Sequence, residues 1–395
     1  MTLTTKQEEG LRVAVARYKA REPWTCISGY AGSGKTTLVS FIIAALGLCP
    51  EDVAYIAFTG KAATVLKQKG CPNAVTAHKL LYWASPTPTG KYVYKPRTSL
   101  EEPYKLLVVD EVSMLPKPMW DRLLTHKIPV IALGDPGQLP PINPEDDNHV
   151  LDNPHVFLDE IMRQAQDSEI IRLATHVRSG EPISSFEASG AQVKIFKKSE
   201  LTTGMLTWAD QVICATNETR TNVNNIVRKL KGYGELPCQD DKLISLNNHW
   251  EYYSANGDWT LTNGSIGNLG YFYTDWYYPP RYIKQGGIEY MYADIHLDNG
   301  DKFNMVPIDY KCLLTGEPCL TGPERYKLNK NNQCPDAPFE FAYAYAITCW
   351  KAQGSEYDNV LGIEERHPFE KDLHQKYLYT LSTRAKNRLV LITKE

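Results

Sequence analysis

Gly29-Tyr30-Ala31-Gly32-Ser33-Gly34-Lys35-Thr36 fits G-x-x-x-x-G-K-[ST], the loop that wraps the phosphates of a nucleotide. Trp24-Thr25-Cys26-Ile27-Ser28 before it reads as a short buried strand, and Thr37 through Leu46 after it carries helical apolar spacing. The motif needs that strand–loop–helix setting. Glycines let successive N–H groups converge on anionic oxygens, and the helix start adds partial positive charge. Lys35 is placed to reach the β- and γ-phosphates. Thr36 offers a hydroxyl to Mg²⁺, and Gly29, Ala31, Gly32, Ser33, Gly34 and Thr37 complete the cradle.

A second stretch decides what the loop is for. Leu106-Leu107-Val108-Val109 is a continuous apolar run, as a fully buried parallel strand requires, and it ends in Asp110-Glu111. Strand carboxyl ends line the crevice where open α/β sheets bind ligands. There Asp110 is placed to hold Mg²⁺ and Glu111 to polarise the water attacking a γ-phosphate. The two stretches together imply hydrolysis of a nucleoside triphosphate, with ATP and Mg²⁺ as the expected ligands.

The chain has 395 residues, of which 43% are hydrophobic, enough for more than one core. A formal net charge of −3 gives no global basic field, so a nucleic-acid partner would need a local basic groove. No apolar run is long enough to span a bilayer, and the first residues do not resemble a secretory signal; a cytoplasmic setting is expected. The nine cysteines are scattered, which suits reduced thiols. Cys312, Cys319 and Cys334 lack the paired spacing and fourth ligand of a zinc site.

Up to about residue 175, apolar strands alternate with helical patterns, which predicts a parallel sheet flanked by helices. Residues 85–98 interrupt it with a hairpin pattern turning near Thr89-Gly90. A second α/β pattern begins near Ala209, resumes at Phe341–Thr348 and closes with Leu389–Thr393. Between its halves, residues 251–335 are rich in Tyr, Gly, Asn and short alternating runs, which predicts a small antiparallel β-module.

Further strings carry a resemblance: Ala57-Phe58-Thr59-Gly60-Lys61-Ala62-Ala63, Thr76-Ala77-His78, Asp110-Glu111-Val112-Ser113-Met114 and Gly134-Asp135-Pro136-Gly137-Gln138-Leu139-Pro140-Pro141. Asn263-Gly264-Ser265-Ile266-Gly267, Thr348 through Glu356 and Tyr379 through Lys386 follow in order. The ordered set, spanning nearly the whole chain, resembles superfamily 1B helicases, the Dda- and RecD-like DNA motors. The resemblance implies two RecA-like cores, 1–84 with 99–175 and 176–250 with 336–395. It also implies a strand-splitting pin at 85–98 and an SH3-like insertion at 251–335.

By the same resemblance, Gln138 links the γ-phosphate to the DNA-facing surface, and Arg163 and Arg384 reach the triphosphate from the hinge and the second core. One such arginine is worth about 10³–10⁵ in rate in phosphoryl transfer. Gln7 resembles the glutamine that reads the adenine edge, and Glu356 a residue near the ribose. Thr59, Lys61, Thr76 and His78 lie on the resembling DNA face, where such groups suit phosphate contacts. Tyr92 and Tyr94 are placed either to wedge a duplex or to pack the hairpin on its core. Trp350 stands where the family carries histidine; tryptophan accepts no hydrogen bond but can stack on a base.

The expected activity is ATP-dependent 5′→3′ unwinding of DNA by a monomer acting on single strands and fork junctions, in phage or bacterial replication, recombination or repair. Polarity rests on the resemblance alone. A single-strand-binding protein or replisome component is the natural further partner. The alternatives are a DNA-stimulated ATPase switch subunit of a larger complex, and a P-loop enzyme phosphorylating a small molecule. The second core, Gln138 and the arginines argue against the last.

Overall fold

The computed structural model describes residues 3–86, 92–162, 167–257, 259–278, 287–298, 300–321, 323–324, 338–365 and 370–394. Three sheets organise it. The first has six strands in the order Ala74–Thr76, Val53–Ala57, Leu106–Val109, Val130–Gly134, Trp24–Gly29 and Val156–Leu158. Every pairing in it is parallel. Leu106 and Val108 pack to one face with the helices Thr5–Lys19 and Lys35–Leu46; Leu107 and Val109 pack to the other with Trp120 and Leu123. Both faces are covered, which is why Leu106–Val109 and Val130–Gly134 carry no polar side chain rather than alternating.

The second sheet runs Ala346–Thr348, Gln211–Cys214, Tyr357–Ile363, Ala385–Thr393 and Val193–Lys197, again all parallel. Its faces split in the same way, with Ile213 and Leu391 in one cluster and Val212 and Val390 in the other. The mixed α/β architecture with two parallel-sheet cores is therefore present. The helix Glu169–Arg178 packs in the second core's cluster beside the helix Lys371–Ser382, so the second core starts earlier than the expected residue 176.

The third sheet is antiparallel, in the order Lys302–Asp309, Ile288–His296, Ile266–Tyr277, Lys242–Ser245 and Phe341–Tyr343. Asp309 N–H donates to Phe339 O at 2.8 Å and Phe339 N–H to Pro307 O at 2.6 Å, so the sheet curls until its edges meet. It draws strands from both sides of the expected 251–335. Phe341–Thr348, read as one segment, is divided: Phe341–Tyr343 joins the third sheet and Ala346–Thr348 the second. Two small hairpins complete the fold, Tyr82–Pro86 with Tyr92–Pro96 and His249–Tyr253 with Thr260–Leu261. Among the described residues no helix is long and apolar enough to cross a membrane.

Candidate active site

The loop after Trp24–Gly29 curls as its glycines allow, with Gly32 at φ 79° and Gly34 at φ 78°. A Cβ on Gly29 would lie 2.7 Å from Ser33 Oγ and 2.8 Å from Leu158 O, so only glycine fits there. Gly34 caps the helix Lys35–Leu46 and no side chain does, which suits its first amides to an anion. Lys35 Nζ folds onto the loop, donating to Gly29 O at 2.6 Å and Tyr30 O at 3.1 Å. Ser33 Oγ is buried without a partner, and Thr36 is exposed. Ala31 and Thr37 are half-buried.

Gln7 is buried beneath this loop at 1% exposure. Its Nε2 donates to Ser33 O at 3.0 Å and its Oε1 accepts from Thr4 N–H at 3.0 Å. The side chain thus closes a capping box on the first helix and braces the loop. Glu356 is exposed.

Asp110 and Glu111 sit beside the loop at the end of Leu106–Val109. Burial, with Glu111 next to it, pushes the Asp110 carboxyl up to about 6, while Lys35 pulls the other way. Glu111 adopts φ 51°, a left-handed conformation uncommon outside glycine, which re-aims the carboxylate. Its Oε1 accepts from Gln138 Nε2 at 3.2 Å, and both Glu111 Oε2 and Gln138 Oε1 are buried without partners. Oxygen donors of this kind suit Mg²⁺, which typically takes one or two carboxylates and completes its shell with phosphates and water. Among the described residues no group of three or more His, Cys, Asp or Glu forms an all-protein metal cage.

The second core reaches into this site through the loop after Val130–Gly134. Leu139, fully buried, belongs to the second core's hydrophobic cluster. Its N–H donates to Thr380 Oγ1 at 2.9 Å and its C=O accepts from Gln353 Nε2 at 2.9 Å. Trp350 Nε1 donates to Pro140 O at 3.2 Å, so the indole N–H is used at this seam. Tyr379 OH donates to Asp135 Oδ2 at 2.6 Å and accepts from Ala31 N–H at 2.9 Å, tying the second core to the phosphate loop itself. The Arg178 guanidinium lies 3.3 Å from the Tyr30 ring centroid, a cation–π contact from the second core onto the same loop.

Tyr379→Phe removes both hydroxyl bonds and leaves the buried Asp135 with one donor fewer. We expect a loss of about 1–3 kcal/mol in unfolding free energy. Urea unfolding of the two proteins measures it.

Arg384 is 5% exposed and bonded within its own core: Nε to Thr380 O at 3.1 Å, Nη1 to Ser355 O at 3.2 Å and Nη2 to Thr383 Oγ1 at 3.1 Å. Arg163 lies outside the described residues. So do the side chains of Tyr92 and Tyr94, whose backbones pair with Pro86 and Ala84.

On the expected strand-facing surface, Thr59 and Thr76 each cap the helix that follows, accepting from Ala62 N–H at 3.2 Å and Lys79 N–H at 3.3 Å. Thr76 is only 4% exposed. Lys61 Nζ crosses between the cores to donate to Tyr357 OH at 2.9 Å. His78 lies beside the rings of Phe58 and Tyr82, and burial pulls its pKa down to about 4. It is neutral at pH 7 and brings no cation to a phosphate.

Because the folded pKa of His78 lies below its unfolded value, the unfolded chain binds the extra proton between about pH 6.5 and 4. Stability is therefore expected to fall as pH drops through that window, by up to about 3 kcal/mol from this group. His78→Gln should flatten that slope in denaturation curves recorded from pH 7 to pH 4.

Arg178, Tyr357, Tyr379 and the socket for Leu139 escaped the sequence reading. Tyr379 and Leu139 lie within the motif-bearing segments 379–386 and 134–141, but what they touch is set by partners hundreds of residues away. Nothing in the local sequence singles out Arg178 or Tyr357.

The AAA domain family matches residues 2–198, and the UvrD-like helicase C-terminal domain family matches residues 343–392. The chain is 25% identical over 251 residues to the ATP-dependent DNA helicase dda of Enterobacteria phage T4, covering 58% of this chain and 57% of that protein. It is 33% identical over 163 residues to the ATP-dependent RecD2 DNA helicase of Deinococcus radiodurans, covering 39% of this chain and 22% of that one. The chain thus spans 57% or less of the length of these curated relatives.

Among solved structures, Pif1 helicase from Bacteroides in complex with ADP-AlF3 and ssDNA superposes with TM-score 0.56 and 18% identity, covering 100% of this chain and 93% of that one. Pif1 helicase from Candida albicans gives 0.53 and 16%, covering 99% and 94%. At these identities the likeness is one of fold, the same two-core arrangement.

Proposed function

Since the chain belongs to the superfamily 1B helicases, in their Dda-like and RecD-like branch, we propose that it is an ATP-dependent DNA helicase. It moves 5′→3′ along single-stranded DNA and splits duplex at forks, in phage or bacterial replication, recombination or repair. The observation that carries the reading is the seam. A phosphate loop and an acidic strand end face a second core whose Tyr379 and Thr380 grip the first core's loops.

In this mechanism the loop amides and Lys35 hold the phosphates, and Lys35 exchanges its two carbonyl partners for them. Asp110 and Thr36 would hold Mg²⁺, which supplies charge neutralisation across the phosphate oxygens. Glu111 orients and deprotonates the attacking water, and Gln138 fixes the carboxylate. Arg384 and Arg163 meet the charge that spreads over the equatorial oxygens. Gln138 and Leu139 are adjacent, so a change at the γ-phosphate is passed directly to the loop the second core grips. Closing and opening of the cores then ratchets a strand held by both. The strand pair Tyr82–Pro86 with Tyr92–Pro96, within the expected pin region, serves as the pin, and the curled third sheet as an SH3-like arm. A single-strand-binding protein is the expected companion, and the motor itself works as a monomer in the cytoplasm.

The test is ATPase rate with and without single-stranded DNA, beside unwinding of duplexes tailed only at 5′ or only at 3′. Strong stimulation with unwinding from the 5′ tail alone is expected. ATPase indifferent to DNA would sink the reading. Stimulation without unwinding would point to a switch subunit of a larger complex.

A further inference from the structure

The second core holds the phosphate loop at two consecutive residues, Tyr30 and Ala31, both packed against its hydrophobic cluster. Ala31 is held by its backbone, through the bond to Tyr379 OH. Tyr30 is held by its ring.

That ring has a partner from each core. Phe157, on the edge strand of the first sheet, meets it at 87° with centroids 5.2 Å apart. Over its face lies the Arg178 guanidinium, whose central carbon is 3.3 Å from the centroid. The distance leaves no room for water between cation and ring, the condition under which their attraction is strongest. Among the described residues no hydrogen bond or ion pair of the guanidinium competes with the stack.

Arg178 is brought there by its helix. It is the last residue of Glu169–Arg178, where the free carbonyls favour a cation. Leu173 and Val177 anchor that helix in the same cluster as Tyr379. Arg178 and Tyr379 therefore belong to one packed unit of the second core.

On its other side Tyr30 leads to Lys35. The Tyr30 C=O accepts from Lys35 Nζ at 3.1 Å, so the residue under the guanidinium also holds the ammonium meant for the phosphates. Displacing the second core displaces Arg178, the ring beneath it and the carbonyl attached to that ring's backbone. Dense packing passes such shifts along rather than absorbing them.

We propose that Arg178 is a positioning residue for the phosphate loop. Through the Tyr30 ring it carries the placement of the second core to Lys35, so that ATP turnover follows the strand gripped by both cores. It rests on the reading of the chain as a motor driven along single-stranded DNA.

The experiment is steady-state ATPase kinetics of the whole chain, without a strand and at saturating dT12. The parent is compared with Arg178→Leu, Tyr30→Leu, Tyr30→Phe and the variant carrying both leucines, each shown to be folded by urea unfolding. Arg178→Leu and Tyr30→Leu should each lower the dT12-stimulated kcat by about 2- to 30-fold, the range set by a lost cation–π contact. KM for ATP should move less than kcat, and strand-free turnover should fall less than the stimulated rate. Tyr30→Phe keeps the ring and should keep most of the stimulation. The double variant should fall no further than the worse single one, since all three remove the same contact.

If Arg178→Leu keeps a stimulated kcat within twofold of the parent, the positioning role is wrong and the motor reading stands. Equal proportional losses with and without dT12 would also overturn it, because the stack would then serve the loop's shape alone. Additive losses in the double variant would do the same, since the two side chains would be acting apart. A parent whose ATPase is not raised by dT12 would overturn the positioning role and the motor reading together.

Discussion

Arg384→Ala is expected to lower ATP turnover by about 10³–10⁵-fold while nucleotide affinity stays within a few-fold. The argument starts from its donors. A guanidinium carries five N–H groups, and three are taken by Thr380 O, Ser355 O and Thr383 Oγ1. Those bonds hold the planar group in the second core and leave two N–H donors, which the proposed mechanism uses on a phosphate oxygen. Charge on the transferring phosphoryl group is largest in the transition state, so a cation arriving then raises kcat more than affinity. Arg384→Lys should not rescue, since an ammonium cannot keep three fixed bonds and still present a fork. Single-turnover hydrolysis and nucleotide titration of the three proteins decide it. A fall of less than tenfold in a folded Arg384→Ala protein would remove the residue from the mechanism.

Glu111→Gln should cost about 10²–10⁴-fold in kcat with KM little changed, the signature of a group acting only in the chemical step. The substitution is nearly isosteric, so the left-handed backbone at φ 51° and the contact to Gln138 both persist. What would be lost is the proposed base, whose Oε2 is buried and without a partner. Steady-state kinetics at saturating single-stranded DNA measure kcat and KM separately. An unchanged kcat would assign the proton to another group.

The local backbone of residues 29–36 and the strand end at Asp110-Glu111 were legible in the sequence. The phosphate loop and Asp110-Glu111 are each local: a strand, a turn and the residues at its end. The capping by Thr59 and Thr76 follows from a local signal too, since threonine before a helix is a start signal. Trp350 also makes a contact that the sequence does not show. A half-buried indole N–H needs an acceptor, and here Pro140 O supplies it. Phe341–Thr348 could not be divided by reading, because an apolar run does not say which of two sheets it joins. Arg178 and Tyr379 act through contacts with the loop at Tyr30 and Ala31, and such contacts exist only after folding.

Leu139 has a consequence for how the chain is made. Its socket is closed by Thr380, 241 residues further along. At about 5–20 residues per second of synthesis, the first core waits roughly 12–48 s before that partner emerges. Through that interval an apolar side chain and a backbone N–H and C=O destined for burial face water on a half-made protein. A chaperone that binds nascent chains has a defined place to act, and slowing translation after residue 139 would lengthen the exposure.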